Sequence, residues 1–178
     1  MGHSNSKLSN EEIIFHQSAA DGELETLQEL IQKVNINSKD AERKTTAIYK
    51  ASTNGHLNVV MFLFKNGAKI IGDLKEDWTP LHGASQNGHL EVVKFLIDSG
   101  CGINTDAVGK CGWTPLHMAV SKNHIDIVKY LIDHGGANIN ANLDEGWNPL
   151  LLAVSKGDIE IVKYLIDSGA KVETFNNR

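Results

Sequence analysis

Residues that would signal chemistry or compartment are scarce in this chain. It has two cysteines, Cys101 and Cys111, among 178 residues. A small secreted scaffold carries more of them at regular spacing, so the pair is read as free thiols in a reducing, cytoplasmic or nuclear setting. There is no basic excess. Seventeen Lys and Arg stand against 22 Asp and Glu, a formal charge of −5, with the signs intermixed. That argues against nucleic acid, whose recognition rests on a basic face that neutralises phosphates. No apolar run approaches the roughly 20 residues needed to span a bilayer, and without an apolar segment at the N-terminus no secretory signal is expected. Phosphate-cradling glycine loops, His-Glu-x-x-His and Gly-x-Ser-x-Gly are all missing, so no enzyme and no cofactor are expected. The length suits one compact domain or one short repeat array.

Self-similarity is abundant. Trp78-Thr79-Pro80-Leu81-His82 returns as Trp113-Thr114-Pro115-Leu116-His117 and as Trp147-Asn148-Pro149-Leu150-Leu151. Six residues after each His position lies a second marker: Gly88-His89, Asn123-His124 and Gly157-Asp158, preceded upstream by Gly55-His56 and Gly22-Glu23. Successive markers are 33, 33, 35 and 34 residues apart, counted from positions 22, 55, 88, 123 and 157. A fixed period of this size is the signature of a repeat architecture.

Each unit has a physical reading. Thr79 is an N-cap whose hydroxyl accepts an orphan backbone N–H, and Pro80 occupies the first helical position, where no N–H is needed. The pattern predicts a short helix over 80–86, stopped at Asn87-Gly88 because glycine tolerates the left-handed C-cap. A second helix is predicted over 90–98, with Leu90, Val93, Leu96 and Ile97 as its apolar stripe. Glu91 and Lys94 pair on its outer side. Neither helix reaches the roughly 12–15 residues at which an isolated helix becomes marginally stable. Each must bury its stripe against the next copy, and five copies suffice for a continuous core.

These motifs, the Thr-Pro-Leu-His, the following Gly-His and the Leu-Ile-x-x-Gly ending, resemble the ankyrin repeat. The resemblance covers about residues 11–175. It implies an all-α solenoid of five helix-turn-helix repeats with finger-like β-hairpin loops, monomeric, elongated and slightly curved. The expected organisation is a leader over 1–10, repeats at about 11–38, 44–72, 77–104, 112–140 and 146–173, and a tail over 176–178. It also implies a concave face of fingers and first helices that binds another protein. The histidine of Thr-Pro-Leu-His is then a tie between neighbouring repeats.

Departures from the pattern carry information. Repeat 1 replaces Thr-Pro with Ser9-Asn10-Glu11-Glu12, a capping box suited to an N-terminal repeat. Repeat 2 has Thr46-Ala47-Ile48-Tyr49. Extra residues around Thr105-Asp106-Ala107-Val108 and at Gly135-Gly136 predict bulged finger regions. Repeat 5 carries Leu150-Leu151-Leu152-Ala153-Val154 and resembles an internal repeat left uncovered, although a terminal repeat needs a polar outer face. Its lysines, Lys156, Lys163 and Lys171, are the alternative source of solvation.

The binding candidates follow from register. Trp78, Trp113 and Trp147 form a row at the finger bases, and tryptophan is over-represented at binding hot spots. Packing against the neighbouring finger is the competing role, and the two are compatible. Finger-tip residues Lys75, Glu76, Lys110, Asp144 and Glu145, with Gln86, Asn87, Ser121, Lys122, Ser155 and Lys156 at the ends of the first helices, supply a polar rim around that aromatic centre. Eight histidines raise the question of a metal, but stacked helices stand roughly 8–10 Å apart and zinc ligands must all lie about 2 Å from one ion. No metal site is expected from such ladders. Cys101 reads as a small buried filler. Cys111, beside Lys110, is the one candidate for a redox or thiol enzyme, and it lacks an evident base.

A further reading concerns the N-terminus. Met1-Gly2-His3-Ser4-Asn5-Ser6-Lys7 fits the N-myristoylation pattern at Gly2. One such chain gives only marginal, reversible membrane binding, so this reading is a membrane-proximal adaptor. The sequence-level conclusion is a protein–protein interaction module, an adaptor or an inhibitor, with an interface of roughly 800 Å² per partner.

Overall fold

In a computed structural model, residues 8–70, 78–99 and 103–172 are described; Gly2, Lys75, Glu76 and Cys101 lie outside them. The described residues form ten α-helices in five pairs: α1 (Asn10–Asp21) with α2 (Leu24–Leu30), α3 (Ala47–Thr53) with α4 (Leu57–Lys65), α5 (Pro80–Asn87) with α6 (Leu90–Asp98), α7 (Pro115–Ser121) with α8 (Ile125–Asp133), and α9 (Pro149–Lys156) with α10 (Ile159–Asp167). The first helices stack in one row, α1 on α3 on α5 on α7 on α9, and the second helices in another. The core runs along the whole stack, through Phe15, Ile48, Leu81, Leu116 and Leu150, one per repeat at equivalent positions. This is the five-repeat all-α solenoid that the sequence predicts.

The caps form as the motif requires. The Thr79 hydroxyl accepts the His82 N–H at 3.4 Å, and His82 Nδ1 accepts the Thr79 N–H at 3.1 Å. Thr114 and His117 make the same reciprocal pair. At Ser9 the capping box with Glu12 also forms, but α1 begins a turn early. Counting 33 residues back from Thr46 puts Ile13-Ile14-Phe15-His16 in the Thr-Pro-Leu-His slot of repeat 1. His16 fills the histidine position there and lies 3.1 Å from the Ser38 hydroxyl. The sequence motif hid this because the cap had moved away from it.

The fingers are tighter than hairpins with paired strands. Each described one is closed by a single backbone bond: Asp40 N–H to Thr45 O, Gly109 N–H to Trp113 O, and Leu143 N–H to Trp147 O. No strand occurs among the described residues. The chain reverses within five or six residues, which leaves no length for a ladder. In the first finger a carboxylate gathers the turn. Asp40 accepts from the Arg43 N–H at 2.7 Å and from the Thr45 hydroxyl, and meets Lys50 Nζ at 3.0 Å. Burial alone would raise its pKa, but the Thr45 hydroxyl, Lys50 and the Arg43 N–H outweigh it and hold the group well below the usual carboxylate range.

Two histidine ladders stitch the stack. His82 Nε2 donates to the Trp113 carbonyl at 3.1 Å, so the proton sits on Nε2 while Nδ1 accepts. His117 Nε2 faces the backbone of Trp147 and Ala141 without completing a bond of ordinary geometry. In the second ladder His56, His89 and His124 donate through Nε2 to the carbonyls of Ala20, Thr53 and Gln86 in the preceding repeat, at 2.8, 2.9 and 3.1 Å. Those rings lie directly over Gly22, Gly55 and Gly88. A Cβ on Gly55 would stand 2.4 Å from His89 Nδ1. Gly22, Gly55 and Gly88 are therefore each required twice, for the left-handed φ and for the ring above.

The two insertions meet each other. The Thr105 hydroxyl donates to the Gly135 carbonyl at 2.9 Å, and the Asn138 N–H donates to Asp106 at 2.7 Å. The first bond ties the two insertions together; the second is the regular bond between successive links, made also by the Lys69 N–H to Asn37 and by the Lys171 N–H to Asn140. Val108 stays exposed.

Two stability measurements check this account. Burial pushes His82 and His117 down to about 4, the neighbouring carbonyls opposing it only in part. His16 is lowered too, again mainly by burial. The unfolded chain takes up these protons first, so stability is full above about pH 6.5 and is lost as pH falls towards 4. Each of the two contributes at most roughly 3 kcal/mol, at about 1.4 kcal/mol per pH unit. Urea midpoints at pH 7, 5.5 and 4.5 should fall steeply, and a His82→Gln, His117→Gln variant should lose most of the slope; a slope unchanged in that variant would place the titration elsewhere. Second, Gly55→Ala should cost roughly 1–3 kcal/mol more than Gly157→Ala. Both have positive φ, 80° and 75°, but only Gly55 lies under a ring, with nothing within 4 Å of the Gly157 position. Equal losses for the two would remove the ring from the explanation.

Candidate protein-binding groove

The finger side of repeats 4 and 5 holds a cleft. It encloses about 520 Å³ and is lined by Cys111 and Trp113 from one finger, Leu143, Glu145 and Trp147 from the next, and Leu152, Ser155 and Lys156 from α9. The two fingers are fixed to each other by the Asp144 N–H donating to the Cys111 carbonyl at 3.1 Å. Gly112 allows the close approach: a Cβ there would lie 2.9 Å from Leu143 Cα. Cys111 and Gly112 both have positive φ, 58° and 85°. That pair of left-handed residues turns the finger within a single 3-10 turn, Lys110–Gly112.

Five residues singled out from the sequence come together here: Trp113, Trp147, Glu145, Ser155 and Lys156. Both indoles are half-buried, with Trp113 set edge-on to His117 at 6.1 Å between ring centres and packed on the core. The Ser155 hydroxyl donates to the Leu152 carbonyl at 2.8 Å, which leaves Glu145 and Lys156 as the exposed charges of the rim.

Other predicted residues lie outside this cleft and carry structural bonds. Trp78 stands edge-on to His82 at 5.1 Å, and its indole covers Gly109 of the following finger so closely that a Cβ would come within 2.9 Å. Packing on the neighbouring finger is thus the geometry at Trp78. Asn87 Nδ2 donates to the Thr53 carbonyl at 2.7 Å, repeating the bond of Asn54 to Ala20. Gln86 lends its carbonyl to His124, and the Ser121 hydroxyl donates to Met118 O. Lys110, Lys122 and Asp144 are exposed at the finger tips and helix ends.

Sequence reasoning did not place Leu143, Leu152 and the Cys111 side chain in the cleft. A signal existed for Leu152. Its column reads Lys50, Gly83, Met118, Leu152 across the repeats, a variable position that turns apolar at the end. For Cys111 the turn conformation decides, and nothing local in the sequence announces two consecutive left-handed residues when the first is not glycine.

Among the described residues no three His, Cys, Asp or Glu side chains gather as a metal-holding group, and no helix is long and apolar enough to cross a membrane. Cys111 is exposed on the cleft wall. In a Cys101→Ala background it should react with a thiol reagent in the folded state. A quenching label placed there should dim Trp113 and Trp147 fluorescence more than Trp78, read in single-tryptophan variants. Reaction only after unfolding would put the thiol elsewhere.

The comparison with curated proteins found no match. A family description, ankyrin repeats in three copies, matches residues 15–107 and again residues 99–176. Repeats of this kind suggest a protein-binding module and are typically non-catalytic. Helix pairs at the matching period, the Thr-His caps and the ring-on-glycine ladder agree with that match, and the chain belongs to the ankyrin-repeat family.

Proposed function

We propose that this protein binds one partner protein through the groove between its fingers and first helices, acting as an adaptor or an inhibitor. The observation that carries the reading is the cleft at the last two repeats. Two half-buried indoles, Trp113 and Trp147, and two leucines, Leu143 and Leu152, present apolar surface, while Glu145, Ser155 and Lys156 rim it with polar groups. An aromatic anchor surrounded by a polar rim is the composition of a protein interface with a central hot spot. A single side chain or a short turn of the partner fits a volume of this size. The tryptophan row, the finger-tip Lys110 and Asp144, and Lys122 extend the surface along the stack. Interior repeats give up more of their groove to inter-repeat bonds, so recognition is weighted towards the C-terminal repeats.

Row geometry supports binding over catalysis. Equivalent side chains recur along the stack at helix spacing and do not converge on one reacting atom. A partner can lie across such a row.

The test uses Trp147→Ala with Lys156→Glu, because Trp113 packs on the core and its truncation risks the fold. Wild type and variant, both verified folded by circular dichroism, are used as baits in lysate, and the captured partner is titrated against each. Loss of affinity by roughly 2 kcal/mol or more, about 30-fold, is expected for a hot-spot tryptophan. A partner held equally by both would sink the groove as the binding site. Whether one or two proteins bind at once then separates inhibitor from adaptor.

A further inference from the structure

The outer face of repeat 5 keeps the acceptor half of an interface that the chain has already built four times. The residue three before each marker shows it most sharply. Ala19, Ser52, Ser85 and Val120 are each 0 % exposed, covered by the repeat that follows. Their equivalent, Val154, is 57 % exposed. Two residues past the marker, Leu24, Leu57, Leu90 and Ile125 pack against the core, whereas Ile159 is 69 % exposed. Nine past it, Ile31, Phe64, Ile97 and Ile132 pack likewise, whereas Ile166 is 48 % exposed. Two columns stay apolar throughout and the first turns from small residues to valine in repeats 4 and 5, and in repeat 5, among the described residues, nothing covers any of the three.

Polar groups of the same interface are in place as well. In repeats 1 to 3 a left-handed glycine, Gly22, Gly55 or Gly88, seats the histidine ring of the next unit. Gly157 has the same conformation, φ 75°, with nothing within 4 Å of its Cβ position. On the outer helices, Tyr130 donates to Asp98 at 2.7 and 2.6 Å, and Tyr164 donates to Asp133 at 2.6 Å. The corresponding carboxylate of repeat 5 is Asp167, ten residues past Gly157 and exposed. Gly157 also caps α9, but together the exposed apolar side chains, the open glycine and the aligned carboxylate match the outer half of the interfaces inside the chain.

We propose that this face, centred on Val154, Ile159 and Ile166, docks an ankyrin-type helix pair of another protein, stacked in the register used inside the chain. The donor unit brings a histidine ring to Gly157 and a tyrosine hydroxyl to Asp167. A second copy of this chain does not meet that description. Its repeat 1 carries Glu23 and Glu29 at the two donor positions, so head-to-tail stacking would set Glu29 against Asp167 and offer no ring to the glycine. Like charges placed directly opposite cost affinity and select against that pairing.

The probe is a folded three-repeat consensus ankyrin array, an unusually designable type of protein, with an uncapped N-terminal face bearing His and Tyr at the donor positions. It is titrated calorimetrically into the full chain. Saturable one-to-one binding is expected, weakened at least about tenfold by Val154→Lys with Ile159→Lys, as for central residues of an interface. Weakening of severalfold is expected for Asp167→Ala, an exposed site that leaves the fold intact, and for an array with Ala at its His and Tyr positions. Trp147→Ala in the groove should leave this binding unchanged, which separates the result from that of the groove. No saturation up to about 1 mM, where binding falls to about 4 kcal/mol, overturns the proposal. So does binding indifferent to Val154, Ile159 and Asp167. Self-association of the chain alone that Val154→Lys abolishes in sedimentation would give the face to a second copy and overturn the assigned donor.

Discussion

None of the described helices can hold itself. The longest of them has 12 residues and several have seven, at or below the length at which isolated helices become marginal in water. Every unit is therefore stable only through its neighbour, and the interface between consecutive repeats is the constraint on which the rest depends. Its bonds recur at separations close to one period. His56, His89 and His124 reach back 36, 36 and 38 residues to a carbonyl of the preceding repeat. Tyr130 and Tyr164 reach back 32 and 31 residues to an aspartate on the outer side. Stability in such a stack is a sum of weak units and favourable neighbour terms, which is why the same bonds appear copy after copy while the exposed positions vary.

Departures from the repeat become intelligible when read in neighbouring pairs. Repeat 4 has Asn123 where the others have glycine, in the left-handed region at φ 58°. An asparagine there carries a conformational cost that glycine avoids. Repeat 5 has Asp158 where repeats 2 to 4 have histidine, so no ring comes to rest on Asn123, and its Cβ needs no empty seat. Lys122 likewise stands where Asn54 and Asn87 bond to the preceding repeat. Each substitution removes the reason for the other residue. The inserted segments are paired too, the Thr105 hydroxyl donating to the Gly135 carbonyl across the interface. Coupling in this fold is local along the stack.

Much of the architecture was legible in the sequence because it is repeated. Thr-Pro before a helix and Gly-His after it name the boundaries of α5, α6 and α7, and the predicted 90–98 helix is α6 as found. Capping chemistry acts within three or four residues, so sequence displays it directly. Repeat 1 was harder, because its cap sits at Ser9, a turn away from the slot that holds His16. The groove was less legible still. Register identified Trp113, Trp147, Glu145, Ser155 and Lys156, but it treated all three tryptophans as equals. Trp78 and Trp113 share a column and an edge-on histidine, yet only the second lines the cleft described above. The difference lies in the next finger: Gly109 lets Trp78 be covered, while Leu143 leaves the cleft open beside Trp113. That depends on a residue 31 positions away and on a turn with Cys111 in a left-handed conformation, neither of which a local pattern encodes.

The repeated interface also explains where recognition can reside. Side chains that join repeats are held by geometry that cannot change without loosening the stack: Asn87 at Thr53, His82 at Trp113, the rings on their glycines. Specificity is left to columns that carry no such bond, and the column of Lys50, Gly83, Met118 and Leu152 is one of them. In repeat 2 it holds a lysine tied to Asp40, in repeat 3 a glycine whose Cβ would meet the Thr53 hydroxyl, and only in repeat 5 does it turn a leucine towards the cleft. The stack sets an apolar pocket at repeats 4 and 5, where two fingers are joined by the bond from Asp144 to Cys111. In the proposed binding its walls would be in place before a partner arrives. A preformed pocket orders fewer side chains on binding, so more of the contact energy appears as affinity.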